Sequence, residues 1–215
     1  MSTGDSSIVE KESTSINVNE STNEIHFNSV IGQTSITKLI TELLNLQSKL
    51  LKKRKKLLEK LKDVENDDDL ASVEYSVSVK PIKLFITSSG GSLFQVFSVM
   101  DTITSMKVPV YTISKGYVAS AGTLLALAGA RRFMTSNSFM LIHELRSGTW
   151  GKYSNMVESV ENSKMLMEHI KSIYLKHTNL CSTDLEEQLK KDQLWDAETC
   201  IKYGLVEGIW DNNKN

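Results

Sequence analysis

A run of β-branched and aromatic residues, Val108-Pro-Val-Tyr-Thr-Ile113, gives way within a few positions to the small, helix-forming run from Thr123 to Ala130. The first composition favours a strand and the second a helix, so a strand hands over to a helix between them. Gly116 and Gly122 bracket the junction, and Ser120 stands in it. Glycine lets the backbone turn tightly at such a place. A hydroxyl at a helix start lies near unpaired backbone N–H groups, the donors that a developing oxyanion needs. The same serine, set between small residues, also reads as a helix cap or a packing spacer. The stretch alone leaves both readings open.

Similar hand-overs surround it. Ile82 to Thr87 is an apolar strand, Ser88-Ser89-Gly90-Gly91-Ser92 a turn, and a helix follows from about Leu93 to Ser105. No lysine stands after the glycines where a phosphate loop requires one. The turn is then either punctuation or a place where the Gly91 N–H meets a substrate oxyanion. Arg132 to Thr135 and Phe139 to His143 read as two further strands around an Asn137 turn, which puts His143 at a strand end, followed by Glu144 and Arg146. A histidine there is by default structural or a surface residue. From Tyr153 to His177, Met156, Val160, Met165, Met167, Ile170, Ile173 and Tyr174 recur near helical spacing. That Met-rich face reads as packing rather than a cofactor box. A helix over Asp184 to Lys191, a loop Asp192-Gln-Leu-Trp-Asp196, a helix Ala197 to Tyr203 stopped by Gly204, and a short strand Leu205 to Trp210 complete the pattern. Strands alternating with helices make the fold class α/β.

The front of the chain differs. Residues 1 to about 23 are dominated by Ser, Thr, Asn, Glu and Asp, too polar to offset chain entropy, and read as a disordered tail. A short strand, Glu24-Ile-His-Phe-Asn28, and a Gly32 turn lead into a helix of about 30 residues capped by Thr34 or Ser35, with Ile36, Leu39, Ile40, Leu43, Leu50, Leu57 and Leu61 at helical spacing. Its second half, from Lys49 to Lys62, is strongly basic, and the acidic Glu65-Asn-Asp-Asp-Asp69 follows. This is a solvated face with an acidic loop, or a docking arm for an acidic partner or nucleic acid. Val73 to Val79 alternates apolar and polar, as a half-exposed strand does. The basic helix and this hairpin, about 47–80, read as an insertion in a catalytic domain spanning 24–215.

Composition narrows the class. At 215 residues the chain suits one medium-sized domain with extensions. A net charge of −1 argues against a protein built around nucleic acid or an anionic membrane. Cys181 and Cys200 are too few for a disulfide framework and lack metal-ligand spacing, which fits a reducing, cytoplasmic setting. The stretch Gly116 to Ala130 is too short to span a bilayer, and the N-terminus has neither a secretory h-region nor an Arg-rich transit composition.

A serine, a histidine and an aspartate thus stand at element ends, where a rigid scaffold presents its chemistry. A serine hydroxyl is barely nucleophilic near neutral pH. It needs an imidazole to take its proton and a carboxylate to hold that imidazole in the right tautomer. His143 is the best placed of the four histidines, because His26 precedes the core and His169 and His177 lie on the long helix.

From Ile82 to Trp210, and more weakly from Glu24 to Leu46, these residues resemble the proteolytic subunit of the ATP-dependent Clp protease. Its Ser-x-Gly-Gly turn is matched by Ser88-Ser89-Gly90-Gly91, and its Gly-x-Ala-Ala-Ser-x-Gly segment by Gly116-Tyr-Val-Ala-Ser120-Ala-Gly122. Its Met-Ile-His is matched by Leu141-Ile142-His143. Its closing aspartate and Ala-x-x-Ala-x-x-Tyr-Gly-Leu segment are matched by Asp192 and Ala197-Glu-Thr-Cys-Ile-Lys-Tyr203-Gly204-Leu205. The resemblance implies Ser120 as nucleophile, His143 as general acid and base, Asp192 as orienting carboxylate, and the N–H groups of Gly91 and Ala121 as oxyanion donors. It implies a crotonase-like fold of repeated β-β-α units, with Tyr153 to His177 as a protruding handle helix joining two heptameric rings, and Trp150-Gly151 at a mobile entry. Neither metal nor organic cofactor is implied in this chain. ATP belongs to a partner unfoldase that feeds unfolded polypeptides. The chain departs from the pattern at Ser89, where proline is common, at Glu144-Leu145, where Gln-Pro usually follows the histidine, and at Lys83, Phe85 and Ser105, which match positions of an aromatic docking pocket. The alternatives are an inactive or regulatory ring subunit, an acyl-CoA hydratase-like enzyme on the same broad fold, and an ATP-independent viral maturation protease.

Overall fold

Strand β4 (Val110–Ala119) is the axis of the molecule, because its two halves pair with different strands. The computed structural model describes residues 15–61 and 79–211. The first half of β4 lies parallel to β3 (Ile82–Ser88) on one side and β5 (Arg131–Met134) on the other. The second half, Tyr117 to Ala119, pairs with β6 (Phe139–Leu141). Gly116 separates the halves at φ +67°, a backbone region that side chains disfavour, and its N–H donates to Ser138 Oγ at 2.8 Å. The strand therefore runs past the expected end at Ile113 and up to Ser120 itself, with Gly116 inside it rather than at the turn.

The sheet continues from β3 through β2 (Glu24–Asn28) to β1 (Ser15–Asn19), and from β5 to β8 (Gly208–Ile209). All pairings are parallel except those of β1 with β2 and of β7 (Leu194–Trp195) with β6. β1 corrects the expectation of a disordered tail over 1–23: only 1–14 lie outside the described residues, and 15–19 form an edge strand. Ile16 and Val18 alternate with polar residues there, and a ladder to β2 supplies the order that so polar a sequence does not advertise. The expected hairpin over Val73 to Val79 lies outside the described residues apart from Val79. Two strands are shorter than expected at the C-terminal end, and Leu194–Trp195 is a strand where a loop was expected, because it adds to β6 as an antiparallel edge.

Alternation along the strands sends Leu84 and Ile86 to one face and Phe85 to the other, with its partner Ile113. The first face carries the main core under α1 (Gln33–Leu61), α2 (Leu93–Ser105) and α3 (Ala121–Leu127). On the second, Phe85, Ile113, Phe133 and Trp210 form a small aromatic cluster, against which His26 stacks on Phe85 at 4.7 Å. α1 buries Ile36, Leu39, Leu43 and Leu46, then leaves the core, so that Lys52 to Lys56 are all exposed. α4 (Tyr153–His177) buries Ile170 and Tyr174 and packs Met167 and Ile173 against the core, as expected of that face, whereas Met156, Val160 and Met165 in its first half are exposed. α5 (Ser182–Leu189) and α6 (Ala197–Lys202) close the C-terminal end; the Asp196 carboxylate caps α6 by accepting from Thr199 N–H at 2.9 Å. Among the described residues no helix is long and apolar enough to cross a membrane.

Candidate active site

In a parallel sheet every strand ends at the same rim, and the turns after β3, β4 and β6 meet there. Ser120 follows β4 directly, at φ 55° and ψ −128°. This is a conformation that a non-glycine residue holds only when its surroundings enforce it. Three contacts do so. Ser120 N–H donates to Leu141 O at 2.9 Å, Ser120 O accepts from Thr123 N–H at 2.9 Å and from the Thr123 hydroxyl at 2.7 Å, and Gly90 lies flat against its side chain. A Cβ on Gly90 would stand 2.6 Å from Ser120 Cβ. Ser120 occupies the N-cap position of α3, yet its side chain makes no capping hydrogen bond. The cap reading of this serine loses its basis.

Gly91 sits in a parallel bridge with Ile31, where Ile31 N–H donates to Gly90 O at 2.7 Å and Ser92 N–H donates to Ile31 O at 2.8 Å. The bridge uses the groups flanking Gly91, and its own N–H is turned away from Ile31. Glycine is required here, since a Cβ would fall 2.2 Å from Ile31 O. Ala121 opens α3, so its N–H has no partner within the helix.

Ser120, Gly91, Ala121 and His143 line one cleft of about 320 Å3, together with Glu144 and Arg146. A larger groove of about 520 Å3 continues past Glu144 and Leu145 between α4 and α5. His143 follows β6 and is half-buried. Burial first, and then the positive charge of Arg146, hold its pKa below the ordinary imidazole range; Asp192 and the Glu144 backbone act in the opposite sense. The imidazole is therefore neutral near pH 7, as a proton acceptor must be. Its Nδ1 is buried without a well-formed hydrogen bond.

Asp192 stands just beyond. The backbone segments on either side of it are tied to those on either side of His143: Leu194 pairs with Leu141, and Glu144 N–H donates to Leu189 O at 2.8 Å. Its carboxylate, however, accepts from the Arg146 guanidinium rather than from His143. The sequence expectation of a carboxylate on the imidazole is therefore not met in this arrangement. Sequence reasoning gave no role to Gly90, to Thr123 and Tyr174 behind the serine, or to Arg146. Only the last left a signal, a cation three positions after the histidine. Among the described residues no three His, Cys, Asp or Glu side chains gather as metal ligands do.

Comparison with known proteins places the chain in a family. The family model for Clp protease matches residues 41–213. The ATP-dependent Clp protease proteolytic subunit of Streptococcus mutans is 32% identical over 141 residues, which cover 64% of this chain and 72% of that protein. The resemblance expected from the Ser120 and His143 motifs is borne out, and so is the α/β fold: the chain belongs to the Clp protease family.

Proposed function

We propose that the chain is a serine endopeptidase subunit in which Ser120 is the nucleophile, His143 the general base and acid, and Asp192 the orienting carboxylate. Ser120 Oγ attacks the peptide carbonyl while its proton passes to the imidazole. The carbonyl oxygen becomes an oxyanion held by the N–H groups of Gly91 and Ala121. Collapse expels the amine, which takes the proton from His143, and water then hydrolyses the acyl-serine by the same route in reverse. The observation that carries this reading is Ser120 itself, held in a left-handed backbone with its hydroxyl spent on no cap and open to the same cleft as His143. Family membership supports a subunit that works within a self-assembled ring chamber. Two stacked heptamers joined through α4, fed unfolded polypeptide by an ATP-hydrolysing unfoldase, are the assembly inferred. The chain itself needs no cofactor for this chemistry.

The ion pair between Arg146 and Asp192 favours one second reading, a ring subunit that assembles without turning over substrate. Labelling with a fluorophosphonate probe across gel-filtration fractions, in the unaltered protein and in Ser120→Ala, separates the two. Labelling confined to a large species and lost in Ser120→Ala is the expected result. A large species that never labels would leave the second reading standing.

A further inference from the structure

The residues on both sides of His143 and Asp192 are fixed to one another by the β6–β7 pairing and the hydrogen bond from Glu144 N–H to Leu189 O. The two residues are thus near enough for the Asp192 charge to act on the imidazole, while the carboxylate itself turns to Arg146. That carboxylate is held by Arg146, three residues beyond His143, while the imidazole Nδ1 is buried without a well-formed partner. We propose that Arg146 is a positioning residue that competes with His143 for Asp192, so that the resting chain keeps its catalytic set open and closes it only when this ion pair lets go. The inference rests on reading Ser120, His143 and Asp192 as the hydrolytic set.

The competition has a chemical direction. At rest a guanidinium is set against a neutral imidazole, and the permanent cation holds the carboxylate. Once His143 takes the serine proton it becomes a cation as well, and Asp192 is drawn towards Nδ1 as charge develops. Arg146 and Asp192 have side chains 71% and 56% exposed. An exposed pair of this kind biases an equilibrium by at most about fivefold. It acts as a latch on the rate, and salt loosens it.

The charged groups facing the imidazole are Arg146 and Glu144 on its own segment and Asp192 on the neighbouring one; Tyr174, across the cleft on α4, is uncharged. Removing the guanidinium deletes a charge that disfavours the imidazolium and frees a carboxylate that favours it. Both changes raise the His143 pKa.

The test is the rate of fluorophosphonate labelling of the full chain as unaltered protein, Arg146→Gln and Arg146→Lys, across pH and salt. Arg146→Gln is expected to label about two- to fivefold faster at low salt, with the acid limb of its pH profile moved upward. Between about 0.1 M and about 1 M NaCl the screening length falls from about 10 Å to about 3 Å. Over that range the unaltered protein should gain rate until it meets Arg146→Gln, and Arg146→Lys should retain the salt response. Arg146→Gln labelling at an unchanged or lower rate, with an unshifted acid limb, overturns the latch and leaves the peptidase reading intact. If neither the unaltered protein nor Arg146→Gln labels at any salt although the assembly forms, the peptidase reading fails and the latch falls with it.

Discussion

The Tyr174 hydroxyl and Thr123 Oγ1 share a buried hydrogen bond of 2.5 Å that joins the protruding helix α4 to the helix behind Ser120. The Thr123 hydrogen is already given to Ser120 O, so Tyr174 is the donor. Burial pushes the Tyr174 phenol far above its ordinary range and keeps it protonated for that task. Tyr174→Phe should lower stability by about 1 kcal/mol, a fall in Tm of about 2–4 °C for a chain of this size. Thermal unfolding of the two proteins side by side checks this, and an unchanged midpoint would show the bond to be energetically idle.

A methyl group tests the wall behind Ser120. Gly90 has φ +101°, and a Cβ there meets Ser120 Cβ at 2.6 Å and Ala119 O at 2.8 Å, neither of which can swing away. Gly90→Ala should therefore displace Ser120 and reduce its labelling about 10²-fold, the penalty of misplacing a reacting group by roughly an ångström. Gly116→Ala is the control. It shares a positive φ of +67° but has nothing within 4 Å of the added atom, so it should lose about 1 kcal/mol of stability and keep its labelling. Equal labelling of the two variants would remove Gly90 from the argument.

Local composition made most of this scaffold legible. Val110 to Ile113 against Thr123 to Leu127 marked the hand-over at Ser120, and periodicity located α4 to its ends. The rest depended on partners distant in the chain. Ser15–Asn19 is a strand because β2 is beside it, and Tyr174 read as one more apolar position on α4 until Thr123, 51 residues away, supplied its acceptor. The direction of the Asp192 carboxylate was equally hidden, since the competing Arg146 lies 46 positions earlier and meets it only across the β6–β7 pairing.

Acid should affect rate and stability at different places. Because burial and Arg146 depress the His143 pKa, the acid limb of the labelling rate should fall below about pH 6.5, the ordinary imidazole value. His177 is depressed too, by burial first and then by Arg132 and Lys176. For both groups the unfolded chain takes up its proton at higher pH than the folded one. Their contribution to stability is thus fully present above about pH 6.5 and is lost as pH falls through the folded-state values. His177→Gln should flatten part of that decline in denaturant unfolding without moving the labelling profile. A decline just as steep in this variant would refute the assignment to His177.

On α4, Tyr153 is 79% exposed and Val160 51%, on one helix face with Met156 and Val157. An apolar helix face left in water on a structured arm fits burial against another copy. Val160→Asp and Val157→Asp should shift sedimentation towards smaller species while the circular dichroism stays the same. Unchanged sedimentation in both variants would place the contact elsewhere.

The long helix α1 starts beside the cleft, where Ile31 brackets Gly91, and ends at the opposite rim near Glu20 and Lys80. Its 29 residues span about 43 Å. The two ends of the helix are therefore far apart in space. The protein can be tethered to a bead, a dye or a surface through the exposed lysines from Lys52 to Lys56, away from the cleft at Ser120. Single assemblies can then be watched at work without an attachment point anywhere near the bond being cut.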